Sequence, residues 1–255
     1  MPKVLIAGYP GAMGRYATAL VNGMAGFEIT AGLAPTTPSE SEMPAGAKLY
    51  TSLEEIDEGV ADIWLDFTVP SAVNENVTFA LNHGFIPVVG TTGLSGDQVS
   101  ALQALAKQKG LGGLIAPNFG MSAVLLMKFA KEAAAYFPDA DVIEMHHGDK
   151  KDAPSGTALA TAKLIAAGRQ DQPQPQVSEE SVLGALGAQV DGVAVHAVRL
   201  PGYIAHEQVL FGGPGEALTI RQDSFDRSSF MSGVKVALQK ATALDELVVG
   251  LEKIL

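Results

Sequence analysis

Residues 144–159, EMHHGDKKDAPSGTAL, bring His146, His147, Lys150, Lys151, Asp152 and a Ser155-Gly156-Thr157 turn together in a chain of 255 residues with 5 histidines and a net charge of −11. An imidazole beside a cationic amine is equipment for proton transfer. Ser155, Gly156 and Thr157 precede ALATAKLIAA, whose apolar spacing predicts a helix. Hydroxyls and open backbone N–H groups therefore gather at a helix N-terminus, where a carboxylate or phosphate is favoured. Taken one at a time, Ser-Gly-Thr is also an ordinary helix cap, a histidine is a packed or surface residue, Lys151 is a solvated charge and Asp152 a turn acceptor. Their density points instead to a pocket for a small polyacid with a proton donor beside it. The preceding DVIEMHH reads as a strand closing on both histidines, whose side chains then face opposite ways. That divergence opposes one metal ion shared by His146, His147, Asp149 and Asp152, and no metal is expected.

Such a pocket needs a scaffold and a co-reactant, and the N-terminal half carries the pattern for both. KVLIA (3–7) is a short β-type run that stops at Gly8, and MGRYATALVNGM then has apolar residues at helical spacing. Gly8, Gly11 and Gly14 sit in the turn between them, where backbone can approach a pyrophosphate at a helix N-terminus. Pro10 stands where the middle glycine of G-x-G-x-x-G belongs, so the spacing also suits a plain strand-to-helix turn. Further strands are predicted at FEITAGL (27–33), ADIWLDF (61–67), FIPVVG (85–90) and GGLIAP (112–117), with helices at 71–83 and 95–109. This alternation implies a doubly wound parallel sheet. DFTVP (66–70) and GTTG (90–93) follow two of its strands and open at its C-terminal edge, although GTTG alone is also a common turn.

Beyond Asn118 the texture changes. A long helix (SAVLLMKFAKEAAAYF), the DVIEMHH strand and the helix opened by Ser155 are followed by VAVHAVRL, HEQVLF and EALTIRQ, consecutive strands of an antiparallel or mixed sheet. The fold expected is therefore α/β: an N-terminal Rossmann-like unit plus an α+β unit, divided as 1–117 with 229–255, and 118–228. RQDQPQPQVSEES (169–181) reads as a surface loop, and FMSGVKVALQKATALDELVVGLEKIL as helical, returning to the first unit.

The bulk properties narrow the partners. A net charge of −11 opposes nucleic acid and anionic membrane as ligands. No apolar run spans a bilayer, MPKVLIAGYPG lacks the parts of a signal peptide, and the chain has no cysteine. The expected location is the cytoplasm, and the expected chemistry uses no thiolate.

EMHHGDKKDAPSGTA resembles the signature of the dihydrodipicolinate reductase family, the 4-hydroxy-tetrahydrodipicolinate reductases of lysine and diaminopimelate biosynthesis. The likeness extends over KVLIAGYPGAMGR, DFTVP, VVGTTG, APNF and SFDRSSFMSGV, nearly end to end. It implies a catalytic pair at His146 and Lys150, and substrate contacts at His147, Ser155, Gly156, Thr157 and Thr91. It further implies NADH or NADPH held by Gly8, Tyr9, Pro10, Gly11, Ala12, Met13, Gly90, Thr91, Thr92, Ala116, Pro117, Asn118 and Phe119. A homotetramer built on the second unit's sheet is implied as well. His147-Gly148-Asp149-Lys150 lacks basic residues that some members carry between the second histidine and the lysine. A different nicotinamide-dependent dehydrogenase of a small dicarboxylate, or a non-catalytic dinucleotide sensor, are the competing readings; the sensor has no use for Lys150 and His146.

The coenzyme-reading position is unusual. An acid or arginine about 20 residues past the glycine turn normally reads the ribose. Here that position is Ala34, no lysine or arginine occurs between Arg15 and Lys48, and the nearest acid beyond it is Glu40. Thr36, Thr37 and Ser39 offer only neutral contacts, which predicts weak discrimination between the coenzymes.

Overall fold

The computed structural model describes residues 1–36, 43–175 and 177–255. Two compact units emerge: Met1–Phe119 with Phe230–Leu255, and Gly120–Ser229.

In the first unit, β1 (Lys3–Ala7), β2 (Glu28–Leu33), β3 (Lys48–Tyr50), β4 (Ile63–Asp66), β5 (Ile86–Val89), β6 (Gly113–Ile115) and β12 (Leu247–Val249) form a sheet ordered β12-β6-β5-β4-β1-β2-β3. All its pairings are parallel. Helices α1 (Ala12–Asn22), α2 (Val73–Asn82), α3 (Gly96–Lys109) and α6 (Met231–Ala241) cover it. One core gathers Leu5, Ala31, Trp64 and Phe85, and another gathers Val77, Val89, Leu102 and Leu247. Residues on both faces of the short strands are thus buried, which is why these strands read as unbroken apolar runs. The strand order reverses between β1 and β4, and ligands of doubly wound sheets bind at such a point. α3 shows how local chemistry sets an element's ends. Ser95 and Gln98 form a reciprocal capping box, and Gly110 closes the helix at φ 66.

Two expectations need correction here. The C-terminal segment is not helical throughout: after α6 the chain adds β12 to the sheet edge and ends in a 3-10 turn, Leu251–Ile254. Only three residues pair in β12, too few for period-2 alternation to show. β3, equally short, escaped the sequence reading for the same reason.

The second unit contains α4 (Met121–Ala133), β7 (Asp139–His146), α5 (Gly156–Gly168), β8 (Ala188–Val190), β9 (Val193–Arg199), β10 (Ala205–Gly213) and β11 (Glu216–Ser224). Its sheet is ordered β11-β10-β7-β9-β8. β7 and β9 run parallel while the other pairs are antiparallel, so the sheet is mixed. Val142, Val195 and Val209 share one face and pack under Leu126 and Ala130 of α4 and Ile165 of α5. Among the described residues, no helix is long and apolar enough to cross a membrane.

Candidate active site

In the first unit the loops after β1, β4, β5 and β6 emerge at one edge, because the strands are parallel. Gly8 has φ +81, and a Cβ there would lie 2.3 Å from the Phe67 carbonyl oxygen. At Gly14 a Cβ would lie 2.2 Å from the Gly8 carbonyl oxygen. The turn is therefore seated against the Phe67 loop on one side and the first turn of α1 on the other, with no side chain between. Gly11 caps α1 without a side-chain hydrogen bond, leaving its first-turn N–H groups toward the turn. This bare backbone cradle fits a pyrophosphate.

Asp66, the last residue of β4, holds the neighbouring loops together. Fully buried, it accepts from Thr68 Oγ1 at 2.7 Å, Thr91 Oγ1 at 2.6 Å, Trp64 Nε1 at 3.0 Å and Asn76 Nδ2 at 3.1 Å. A buried carboxylate with so many neutral donors ties DFTVP and GTTG into one rigid edge. Thr91 thus spends its hydroxyl inside the loop, while Thr92 is exposed. Tyr9, Ala116 and Phe119 are buried, and the Phe119 ring meets Phe67 edge-on at 5.9 Å. These three shape the backbone from beneath. Pro10, Gly11, Ala12, Met13 and Pro117 retain exposed surface.

In the second unit β7 ends at His146, and His147 lies in the following turn. The expectation that both histidines sit in the strand is therefore corrected: the ladder to β10 stops at the pair His146–Ala205, and strand alternation does not govern His147. His146 is partly buried and His147 exposed. His146 Nδ1 lies 2.5 Å from Glu144 Oε2. An ionised carboxylate can only accept, so Nδ1 carries the proton and Nε2 is left to face a ligand. Glu144, fully buried two residues earlier on the same strand face, also takes both Arg199 terminal nitrogens at 2.7 Å and the Ser155 N–H at 3.0 Å. Arg199 stands opposite His146 in the β7–β9 register and donates to the Asp152 carbonyl at 2.7 Å. Burial works against a charge on Glu144, yet hydrogen bonds from His146, Arg199 and Ser155 outweigh it and hold its carboxyl down at about 2.

One carboxylate thus fixes the imidazole, the guanidinium and the start of α5. Ser155 caps that helix by accepting from the Ala158 N–H at 3.2 Å, Gly156 is exposed and Thr157 partly so. Lys150, on the loop between β7 and α5, donates to Asp152 Oδ1 at 2.6 Å. Imidazole, ammonium and helix N-terminus thus come from sixteen consecutive residues; Glu144 holds the imidazole and the helix start, while Asp152 holds the ammonium.

A family model described as dihydrodipicolinate reductase, N-terminus, matches residues 2–119, and its C-terminus counterpart matches residues 122–255. The chain belongs to the dihydrodipicolinate reductase family. Among its relatives, the 4-hydroxy-tetrahydrodipicolinate reductase of Limosilactobacillus fermentum is 65% identical, with all of both chains covered. That of Lactobacillus helveticus is 62% identical over 99% of this chain and 98% of its own. A solved structure of dipicolinate-bound dihydrodipicolinate reductase from Paenisporosarcina sp. TG-14 is 42% identical, covers both chains completely and superposes with a TM-score of 0.90.

For this family member the sequence reading missed Glu144, Arg199 and Asp66. Glu144 had a weak signal, since an acid two residues before a strand histidine shares its face. Arg199 had none, being 55 residues away in sequence. Thr36 is exposed, whereas Thr37, Ser39 and Glu40, named above for ribose recognition, lie outside the described residues.

Proposed function

We infer that this chain catalyses the NADH- or NADPH-dependent reduction of 4-hydroxy-tetrahydrodipicolinate, through the ring left by loss of water, to tetrahydrodipicolinate. The observation that carries this reading is Glu144 binding His146, Arg199 and the Ser155 amide at once. A proton donor and a carboxylate-binding helix start are thereby locked in one place, beside Lys150. A dinucleotide sensor would have no need of either. The dicarboxylate in the Paenisporosarcina relative's solved structure supports the same substrate class.

Reduced nicotinamide, bound on the Gly8–Met13, Gly90–Thr92 and Ala116–Phe119 loops, supplies a hydride. The chain's own residues do the rest. The Ser155 and Thr157 hydroxyls and the Gly156 and Thr157 N–H groups receive one ring carboxylate, and His147 contacts the substrate from the preceding turn. His146 Nε2 polarises the ring. Lys150 donates the proton that completes the reduction, its cation also stabilising the electron-rich enamine that hydride addition creates. Exchanging Asp152 for substrate costs Lys150 little, because an exposed pair of this kind is worth about 0–1 kcal/mol.

The test is oxidation of reduced coenzyme, followed by absorbance, with freshly generated 4-hydroxy-tetrahydrodipicolinate against a panel of oxo acids. Turnover confined to the oxo acids would overturn the reading. The same assay checks coenzyme choice. With no charged residue at position 34, NADH and NADPH should lie within about tenfold in kcat/KM, because neutral contacts give about 0.5–1.5 kcal/mol each. A preference above about a hundredfold, or about 2.7 kcal/mol, would demand a charged reader.

Pyridine-2,6-dicarboxylate should compete with the ring substrate. Thr157→Val should weaken it about tenfold, the loss of roughly 1.5 kcal/mol in one hydrogen bond to a charged group. Equal inhibition by pyridine-2-carboxylate, which lacks the second acid, would refute a two-carboxylate pocket.

We also propose a homotetramer assembled on the second unit's sheet. Its helix-free face exposes Leu210, an apolar residue suited to a second copy. We place the reaction in the cytoplasm, where reduced nicotinamide coenzymes are held.

A further inference from the structure

Glu207 on β10 lies directly opposite Glu144 of β7 in the antiparallel register, so two carboxyl groups are buried side by side, 2% and 0% exposed. Their surroundings differ sharply. Glu144 has an arginine, an imidazole and a backbone amide, whereas among the described residues the Glu207 carboxyl has a single hydrogen-bond partner, the Thr161 hydroxyl of α5, at 2.5 Å. Among the described residues, no cationic side chain forms an ion pair with Glu207.

Counting protons fixes the direction of these bonds. Thr161 Oγ1 is also 3.0 Å from the Thr157 carbonyl oxygen, and a hydroxyl has one proton to give. Both contacts are satisfied together only when Glu207 is protonated and donates to Thr161, which then donates to Thr157. Thr157 belongs to the turn that receives the substrate carboxylate. We propose that Glu207 is a proton-carrying positioning residue: neutral, it completes the chain Glu207–Thr161–Thr157 behind the first turn of α5, and ionised, it places a second negative charge behind the anion site and weakens dicarboxylate binding. The inference rests on the substrate reading above for its ligand, and on the register and the proton count for Glu207 itself.

The groups around Glu207 allow this. Glu144 faces it from β7, with His146 and Arg199 beyond; Gln222 faces it from β11 and Thr161 from α5. Lys163 of α5 and Lys128, Lys131 and Glu132 of α4 are exposed. Burial pushes the Glu207 carboxyl up to about 7; the Thr161 hydroxyl pulls it down, and the Glu144 charge pushes it further up. Loss of its proton therefore falls within the range in which a biosynthetic enzyme works.

Calorimetric binding of pyridine-2,6-dicarboxylate to the wild type and to Glu207→Gln, an isostere that can still donate to Thr161, tests the idea. Glu207 sits one helical turn and one hydrogen bond behind the anion site, about 8–10 Å, where one added charge at an effective dielectric of about 20 changes affinity roughly fifteen- to thirtyfold. Between about pH 6 and about pH 8.5, wild-type affinity should fall about tenfold more than that of the glutamine variant. Parallel curves for the two proteins would overturn the proposal. Infrared difference spectra of the wild type give a reading that needs neither variant nor ligand. The carbonyl band of a protonated carboxyl should be present at about pH 6 and disappear through about pH 7. Absence of that band at the lower pH would also overturn it. No dicarboxylate binding by the wild type at any pH would sink the substrate reading instead, and the infrared band would still decide whether Glu207 carries a proton.

Discussion

Lys150→Ala is expected to lower kcat by about a hundredfold or more, the usual scale for a positioned general acid, with the melting temperature and coenzyme affinity close to wild type. The two halves of this expectation have separate grounds. Structurally, the Lys150 side chain donates to Asp152, whose own side chain is 56% exposed, and an exposed pair contributes about 0–1 kcal/mol. The coenzyme loops belong to other elements, so their affinity should not change. Chemically, the reduced ring needs a proton at a particular atom, and Lys150 stands on the loop that joins the imidazole at the end of β7 to the start of α5. Lys150→Arg separates charge from proton donation. Guanidinium keeps the cation but does not give up its proton, so KM should recover toward wild type while kcat stays low. Steady-state kinetics on both variants, with thermal melts as the control for folding, decide the matter. Near-normal kcat in a folded alanine variant would remove lysine from the mechanism.

Glu144→Gln should be the most damaging single change to stability, at about 3 kcal/mol, because it breaks a buried carboxylate–guanidinium pair and leaves Arg199 without its counter-charge. The same change puts an amide, which can donate as well as accept, where an obligate acceptor fixed the His146 proton on Nδ1, so kcat should fall about tenfold or more even in protein that is fully folded. The pH dependence has a definite sign. Despite the opposing effect of burial, its hydrogen bonds hold the Glu144 carboxyl at about 2 in the folded chain, against about 4.3 for an unfolded glutamate. A depressed carboxyl stabilises fully above its unfolded value and loses that contribution as pH falls from about 4.3 toward about 2. Chemical denaturation of both proteins at about pH 7 and about pH 3 should therefore show the wild-type advantage shrinking at the lower pH. An advantage of constant size would mean that Glu144 is not held ionised by its partners.

What the sequence by itself determined about this protein is whatever depends on neighbours along the chain. The strand–glycine turn–helix unit at Lys3–Asn22, the Ser155 cap and the crowding of His146, Lys150 and Thr157 are local matters of backbone propensity, capping and short spacing. Apolar periodicity likewise separated an alternating α/β unit from one with consecutive strands. Pairing between distant strands was decided only by the tertiary structure. Register places Arg199 opposite His146, with its guanidinium on Glu144 across 55 residues, while packing brings Thr91 to Asp66 across 25 and sets Thr161 of α5 against Glu207 across 46. None of those pairs leaves a local pattern, because a β-ladder joins residues whose separation in sequence is arbitrary. The three-residue strands β3 and β12 were hidden for a related reason: in them the partner strand supplies the order that so short a segment cannot specify. Which charges the site contains was therefore legible from composition and spacing, whereas which of them is ionised, and which imidazole nitrogen is turned toward a ligand, depends on burial and hydrogen bonding that the folded chain alone creates.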